Sequence, residues 1–180
     1  VNDKQQEKIM KYPSSKRKKF NPALYRKADP LAKECISKYL MSLGHEVTIP
    51  KENYGVDLHS NPPLPHLNHP NQLHLLSNPV ITEHHEVEMK FMWEGEWPKG
   101  WRDVNIPFRK SRLINMVYKK DENARFFFYI IRKDCKQAWK MDGRVVQASP
   151  VVEVPNRAVP KGEYFYKVPL DKAELINIGD

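Results

Sequence analysis

Residues 85–93, HEVEMKFMW, alternate between apolar and polar side chains with the period of two that predicts a β-strand. One face of this strand is apolar, and the other carries Glu86, Glu88 and Lys90. A half-buried strand turns its apolar face to a core, so the two carboxylates and the ammonium group share the opposite face. The elements on either side of this strand therefore decide what kind of domain contains it.

A helix is predicted upstream. Asp29 has the chemistry of an N-cap, and Pro30 suits the first helical position. Apolar residues then recur at one-face helical spacing as far as Leu43, and Gly44 supplies a C-terminal stop. The pattern predicts a helix over residues 30–43.

Two short strands and a long irregular loop connect this helix to the charged strand. Residues 45–50 (HEVTIP) and 55–60 (GVDLHS) predict the strands, and the second carries Asp57. The following loop, residues 61–85, is rich in proline and histidine, with five prolines between positions 62 and 79. Loops of this length are uncommon in compact domains unless they have a function.

The downstream elements complete an α/β layout around a mixed sheet. Residues 107–120 predict a basic helix, and residues 124–132 (ARFFFYIIR) are the most apolar run, which predicts a central strand. The remaining elements are predicted to be strands at 137–141, 144–148 and 163–168, a hairpin turn at Asp142-Gly143 and a short closing helix at 171–176. The order is therefore helix, strand, strand, strand, helix, strand, with later additions.

The positive charge of the chain is concentrated at its start. The chain has a formal charge of +8, of which residues 1–29, with nine Lys/Arg and three Asp/Glu, carry +6. We interpret residues 1–28 as a basic N-terminal arm and residues 29–180 as a single domain. The arm suits a polyanion such as nucleic acid, and the run Lys16, Arg17, Lys18 and Lys19 is either a phosphate-binding segment or a solvated tail.

Cysteine content and hydropathy indicate an intracellular protein. The two cysteines, Cys35 and Cys135, cannot build a disulfide framework, and we expect both to be reduced thiols. No apolar run approaches the roughly 20 residues that cross a bilayer, and no apolar stretch of the signal-peptide type occurs at the start. We expect a cytoplasmic, nucleoid-associated protein that does not contact membrane.

The acidic residues on the two predicted strands meet the requirements of a metal-dependent phosphodiesterase. Hard divalent cations prefer oxygen ligands, which the carboxylates of Asp57 and Glu88 and the Met89 main-chain carbonyl would supply. Lys90 shares the face of Glu88, where its ammonium group can steady the attacking water and offset developing charge. A Glu-x-Lys triplet alone is weak support, since chance produces roughly one in a chain of this length. The similar triplet Asp134-Cys135-Lys136 is interpreted as a charged strand end.

In its order of elements and these three residues, the chain resembles the PD-(D/E)xK nuclease superfamily over residues 30–132. The resemblance implies a restriction-endonuclease-like α-β-β-β-α-β core, with residues 133–180 as C-terminal β additions. It also implies Asp57 and Glu88 as Mg²⁺ ligands, with Mn²⁺ able to substitute, and Lys90 as the catalytic cation. Glu34, in the first helix, resembles an additional acidic residue of Holliday-junction resolvases. Two departures are Val56 in place of the usual proline and the long stretch between Asp57 and Glu88.

Histidines and one further carboxylate admit alternative interpretations. Glu86 either binds a second ion or faces solvent at the strand edge. The histidines around the loop 61–85 suit a zinc site, a loop that folds over DNA or a dimer partner, or a plain surface loop. His59 shares the face of Asp57 and is either a phosphate contact or a satisfied polar residue.

Tryptophans and a basic helix offer possible DNA contacts. Trp93, Trp97 and Trp101 could stack on exposed bases, although packing beneath a loop is the better interpretation. Several cations crowd the helix at 107–120 and form either a solvated face or contacts to the scissile strand; those expected at the DNA are Arg109, Lys110 and Arg112.

The sequence thus predicts a Mg²⁺-dependent endonuclease that hydrolyses DNA as a homodimer, either restriction-like or junction-resolving. One alternative is a nucleic-acid-binding module that keeps the fold without the chemistry. Another is a protein-interaction domain whose charged strand is merely exposed.

Overall fold

The computed structural model describes residues 22–51, 55–63, 82–154 and 161–179, with backbone only over 22–27. Most of the predicted arm, including Lys16, Arg17, Lys18 and Lys19, lies outside the described residues, as does most of the proline- and histidine-rich loop. No described helix is both long and apolar enough to cross a membrane.

The described chain is a mixed α/β domain with three helices and nine strands. The helices are α1 (Pro22–Ser42), α2 (Ser111–Lys120) and α3 (Gly143–Ala148), and single 3-10 turns occupy Phe108–Lys110 and Leu170–Lys172. The strands are β1 (Glu46–Thr48), β2 (Leu58–Asn61), β3 (Glu83–Lys90), β4 (Asp103–Pro107), β5 (Arg125–Arg132), β6 (Gln137–Asp142), β7 (Val151–Glu153), β8 (Tyr164–Pro169) and β9 (Glu174–Asn177).

Six strands form the main sheet, in the order β1-β2-β3-β5-β6-β9. Its single parallel pair among the described strands is β3 with β5, aligned from Glu83 opposite Arg125 to Lys90 opposite Arg132. A smaller sheet has the order β4-β8-β7. The predicted strands at 85–93 and 124–132 are therefore confirmed as neighbours in a mixed sheet, with β3 displaced toward the N-terminus.

The two faces of the main sheet bury separate apolar clusters. One cluster joins the apolar side of α1 to the sheet, where Ile36 packs with Leu58 and Ile131. The other joins α2 to the opposite face, where Ile114 packs with Phe128. Alternate residues of β5 enter the two clusters because successive strand side chains point to opposite faces. The central strands are thus covered on both sides, as a parallel pair usually is.

Helix α1 begins earlier than its capping signals predict. It starts at Pro22, so Asp29 is not its N-cap and Pro30 lies inside it. Asp29 instead pairs with Lys33 one turn later, at 2.9 Å. An internal proline removes one helical hydrogen bond, but it does not end this helix.

Three predictions for the C-terminal part were wrong. Asp142-Gly143 is not a hairpin turn, and residues 144–148 are not a strand: the Asp142 carboxylate accepts a hydrogen bond from the Arg144 amide at 2.7 Å and caps helix α3 over these residues. Residues 174–177 do not form a closing helix, because they pair with β6 as an edge strand. The short strand β4, which pairs with β8, was not predicted at all. The two strands depend on tertiary pairing that the local pattern does not report, whereas the cap of α3 is a local contact.

Cys35 and Cys135 form a disulfide, with their Cα atoms 6.1 Å apart. It joins α1 to the turn between β5 and β6. The expectation of two reduced thiols was therefore wrong, because the fold brings together cysteines that are 100 residues apart in sequence.

A buried polar chain lies beneath the C-terminal end of α1. The Ser60 hydroxyl is 2.8 Å from His85 Nε2 and 3.0 Å from His45 Nδ1. Glu83 lies beside both imidazoles and pairs with Arg125 at 2.9 Å. Burial lowers the pKa of His85 to about 3, and the positive charges of His45, Lys140, His84 and His59 add to that shift. His85 is therefore a neutral core residue.

His85 makes the fold sensitive to mild acid. The pKa of His85 is about 3 in the folded chain against 6.5 ordinarily, so below pH 6.5 the unfolded chain binds a proton that the folded chain does not. Stability is then lost as the pH falls, by about 2 kcal/mol between pH 8 and pH 5. Urea unfolding of wild type and His85→Gln across this range measures the difference. Equal pH slopes in the two proteins would contradict this account.

Gly143 is enclosed by α2 and β5. A Cβ at this position would lie 3.1 Å from the Phe126 carbonyl oxygen and 2.7 Å from the Tyr118 hydroxyl. We expect Gly143→Ala to lower the free energy of unfolding by about 1–3 kcal/mol, because the backbone oxygen cannot move aside cheaply. Gly100→Ala is the matched control, since a Cβ there meets nothing within 4 Å. Chemical denaturation should separate the two variants, and equal stabilities would refute the proposed crowding.

Candidate active site

Asp57 is held against the charged strand by its own carboxylate. It lies one residue before β2, and its Oδ2 accepts a hydrogen bond from the Val87 amide of β3 at 3.0 Å. Its Oδ1 is 3.0 Å from the Lys33 ammonium group of α1, which also contacts Asp29. Burial lowers the pKa of Lys33, but its hydrogen bonds and charge interactions with Asp29 and Asp57 outweigh this effect and raise it. The Asp57 carboxylate is thus held in place beside β3 by the Val87 amide and Lys33.

Glu88, unlike Asp57 and Glu86, has no lysine in contact with its carboxylate among the described residues. It is half-buried, and burial raises its pKa above the usual range. Lys90 and Arg109 oppose the rise, while the negative charges of Asp57 and Glu163 add to it. Charges in a partly dry site interact strongly. Glu88 and Asp57 therefore share one electrostatic environment, in which an additional cation would be favourable.

Glu86 is neither solvent-facing nor free. It is buried, and one carboxylate oxygen contacts the Lys110 ammonium group from the 3-10 turn before α2. Burial lowers the pKa of Lys110, although Asp57 and Asp29 act in the opposite direction. The second oxygen, Glu86 Oε2, is buried without a hydrogen-bond partner among the described residues. Glu86 is therefore a paired buried carboxylate with one oxygen still available.

Lys90 lies at the mouth of an open cleft of about 420 Å³ between the main sheet and the smaller sheet. Its ammonium group is 5.5 Å from the centre of the Trp101 ring. Lys167, on the opposite wall, pairs with Asp103 at 2.9 Å. The cleft is basic and partly aromatic, and the charge of Lys90 also acts on Glu88.

The other residues predicted to bind metal or DNA have different surroundings. Arg109 donates to buried Glu163 at 2.8 Å and is among the charges that act on Glu88. Arg112 is exposed on α2. Met89 buries its side chain against the α1 cluster. Glu34 pairs with Lys38 at 2.6 Å on the exposed side of α1, and that helix brings Lys33, not Glu34, to Asp57.

Two features beyond the predicted triplet complete the site, and the sequence carries different signals for them. Lys33 lies one helical turn after Asp29, so a charge pair could be anticipated from the i,i+4 spacing. Glu163 has no such signal, since its nearness to Arg109 arises only from the packing of residues 54 apart in sequence.

The tryptophan segment packs chiefly as a core element. Trp93 is fully buried, and its ring meets Trp97 edge-on with centroids 4.9 Å apart. Trp97 meets Trp101 in the same way at 5.2 Å. Trp101 is partly exposed and lines the cleft. Packing beneath a loop is therefore confirmed for Trp93, while Trp101 remains accessible.

The site is not a preassembled metal cage. Within residues 22–51, 55–63, 82–154 and 161–179, no three His, Cys, Asp or Glu side chains are grouped closely enough to hold a metal ion. A carboxylate oxygen has two lone pairs, so Asp57 can accept its present hydrogen bonds and still coordinate a cation. Asp57 and Glu88 offer two carboxylate donors, the ligand type that a hard divalent cation prefers, and water would fill the remaining coordination positions.

Comparisons with protein-family models, with curated proteins and with solved structures found no match for this chain.

Glu88 should destabilise the fold in the absence of a cation. Because its pKa is raised in the folded chain, stability falls as the pH rises above the ordinary value of a glutamate. We expect Glu88→Gln to be more stable than wild type at pH 7 and to lose any stabilisation by Mg²⁺. Thermal melts at pH 5 and pH 7, with and without Mg²⁺, measure both effects. Glu34→Gln, at an exposed carboxylate of the same domain, is the control and should behave as wild type.

Proposed function

We propose that this chain is a metal-dependent endonuclease that hydrolyses phosphodiester bonds in DNA. The observation that carries the proposal is the position of Asp57, which is hydrogen-bonded to the strand that presents Glu88 and Lys90. These are two carboxylates and one ammonium group around a partly buried site beside a basic cleft. That is the chemistry phosphodiester hydrolysis requires.

The topology supports assignment to the PD-(D/E)xK superfamily. Helix α1 is followed by three successive antiparallel-paired strands, β1 to β3, and the chain then crosses through α2 to β5, which pairs parallel to β3. This order is compatible with the α-β-β-β-α-β core of that superfamily, with β4 inserted before α2. On this proposal, Asp57 and Glu88 would correspond to its Mg²⁺ ligands and Lys90 to its catalytic lysine.

The proposed mechanism assigns a role to each side chain. Asp57, Glu88 and the Met89 carbonyl would hold Mg²⁺ or Mn²⁺, which supplies an activated water and screens the phosphate. Lys90 orients the attacking water and offsets the charge that develops on the phosphate oxygens. Arg109, at the same site, can pair with a phosphate oxygen if it releases Glu163.

The DNA is proposed to approach from the cleft side. Lys90, Lys167 and Arg102 line that cleft, and Lys110 and Arg112 follow Arg109 toward α2. The basic run Lys16, Arg17, Lys18 and Lys19 would add sequence-independent contacts to phosphates. A homodimer is proposed because two such sites are needed to cut two strands, in either restriction-like or junction-resolving cleavage.

A nucleic-acid-binding module without chemistry is the second candidate, and one observation favours it. Lys33 already neutralises part of the charge of Asp57, which weakens the attraction of that carboxylate for a divalent cation. This candidate predicts salt-dependent DNA binding with no metal-dependent cleavage.

Cleavage assays distinguish the two candidates. Plasmid, branched and single-stranded DNA are incubated with wild type in Mg²⁺, Mn²⁺ or EDTA. We expect cutting in either metal, none in EDTA, and a loss of roughly 10²–10³-fold in rate for Lys90→Ala. Lys136→Ala is the matched control, because Lys136 belongs to the other acidic triplet, Asp134-Cys135-Lys136. That triplet lies in the exposed turn after β5, where Asp134 pairs with Arg132 at 2.7 Å. DNA binding without cleavage of any substrate in Mn²⁺ would favour the binding module.

A further inference from the structure

Two histidines on neighbouring strands face each other at the far end of the charged face. His59 of β2 and His84 of β3 are cross-strand partners. Their Nδ1 atoms are 2.9 Å apart, and their rings meet edge-on with centroids 4.9 Å apart. Both side chains are half-buried. At this separation one imidazole donates its Nδ1–H and the other accepts, so two metal-binding nitrogens are held together by a single shared proton.

We propose that His59 and His84 bind one divalent transition-metal ion of the Ni²⁺, Cu²⁺ or Zn²⁺ class through their Nδ1 atoms. This site is separate from the carboxylates of Asp57 and Glu88 and does not depend on the nuclease proposal. Imidazole nitrogen suits these ions, whereas Mg²⁺ prefers oxygen. Water completes the coordination, because the two histidines supply only two ligands.

The separation of the two nitrogens fits adjacent positions on one metal. With metal–nitrogen bonds of about 2.0–2.1 Å, two nitrogens 2.9 Å apart subtend an angle of about 90° at the ion. That is the angle between neighbouring ligands in the tetragonal geometries of Cu²⁺ and Ni²⁺. A tetrahedral Zn²⁺ would need the nitrogens to separate by about 0.4 Å, which a small ring rotation provides. The backbone register therefore sets the spacing of the two nitrogens, and both rings turn so that their Nδ1 lone pairs, which now lie along the shared hydrogen bond, converge on the ion.

The proton balance of binding is simple. The ring that donates its Nδ1–H moves this proton to its own Nε2, so both Nδ1 lone pairs become available and the pair stays neutral. The oxidation state of the metal ion does not change. The ion replaces the shared proton as the link between β2 and β3.

The two imidazoles are neutral and keep their lone pairs. Burial and the positive charge of Lys120, at the C-terminal end of α2, lower the pKa of both His59 and His84, and Asp121 opposes this shift only at His84. Carbonyl groups at a helix C-terminus attract positive charge. His85 is buried on the other face of the sheet, hydrogen-bonded to Ser60, and cannot act as a third ligand. Asp57, two residues from His59, lies about 7 Å further along the same face.

Calorimetric titration of the full chain tests the proposal, with the Cys35–Cys135 disulfide intact and no histidine tag. Ni²⁺ and Zn²⁺ are each added alone and again in excess Mg²⁺, and we expect one equivalent to bind the histidine pair without competition from Mg²⁺, which prefers the carboxylate oxygens. His59→Asn and His84→Asn should each weaken Ni²⁺ binding by roughly tenfold or more. Asp57→Asn should leave it unchanged, which separates this site from the proposed catalytic one.

A triple variant provides the matched control for the remaining histidines. His66→Asn, His69→Asn and His74→Asn together should retain the Ni²⁺ affinity of wild type. Imidazole ¹⁵N spectra with Zn²⁺ supply a second measurement and should show shifts at the ring nitrogens of His59 and His84 only. The proposal is overturned if the triple variant loses binding while His59→Asn keeps it, or if neither metal binds wild type. In the latter case the two imidazoles form a hydrogen-bonded pair and nothing more.

Discussion

The parallel pairing of β3 with β5 constrains the rest of the domain. Parallel strands cannot be joined by a tight turn, so the chain must leave the sheet after Lys90, cross one face and return at Arg125. That crossover contains β4 and α2, and it covers the face of β3 that carries Glu86 and Glu88. Helix α1 covers the other face, where Leu58, Val87 and Met89 are buried. The charged face is therefore not an outer surface of the protein, although its sequence pattern is that of a half-exposed strand.

Because this face is covered, its carboxylates need cationic partners, and the crossover segment supplies them. A buried carboxylate is costly unless it is paired. The 3-10 turn that begins α2 brings Lys110 to Glu86 and places Arg109 near Glu88. Helix α1 compensates the third carboxylate, because its Lys33 pairs with Asp57. Charge compensation thus comes from the two helices that also bury the apolar faces of the sheet, so the stability and the electrostatics of the site depend on the same packing.

The sequence predicts those parts of the fold whose local pattern and tertiary environment agree. The strand at 124–132 and the helix at 107–120 are strongly periodic or strongly apolar, and the structure confirms both apart from a 3-10 first turn in the helix. Asp142-Gly143 has the composition of a hairpin turn, yet Asp142 caps α3, and Gly143 permits its close approach to Phe126. At the site, Glu88 and Lys90 lie on one face of β3 because residues two apart in a strand point to the same side, so this placement follows from the sequence. The contact of Lys33 with Asp57 and that of Glu163 with Arg109 could not be anticipated in the same way, since they depend on tertiary packing.

The three carboxylates near the proposed metal site are unequally paired. Asp57 and Glu86 each contact a lysine, whereas Glu88 makes no ion pair with any described residue. A carboxylate without an ion-pair partner in a partly dry site costs free energy. A carboxylate that binds a cation from solution must stay free of such a partner, since a lysine in contact with it would occupy the position of the ion. Lys90 and Arg109 moderate the charge of Glu88 without forming an ion pair with it. For the proposed metal site, the electrostatic arrangement therefore favours Glu88 over Asp57 as the principal ligand, because Asp57 is also hydrogen-bonded to Val87 of β3.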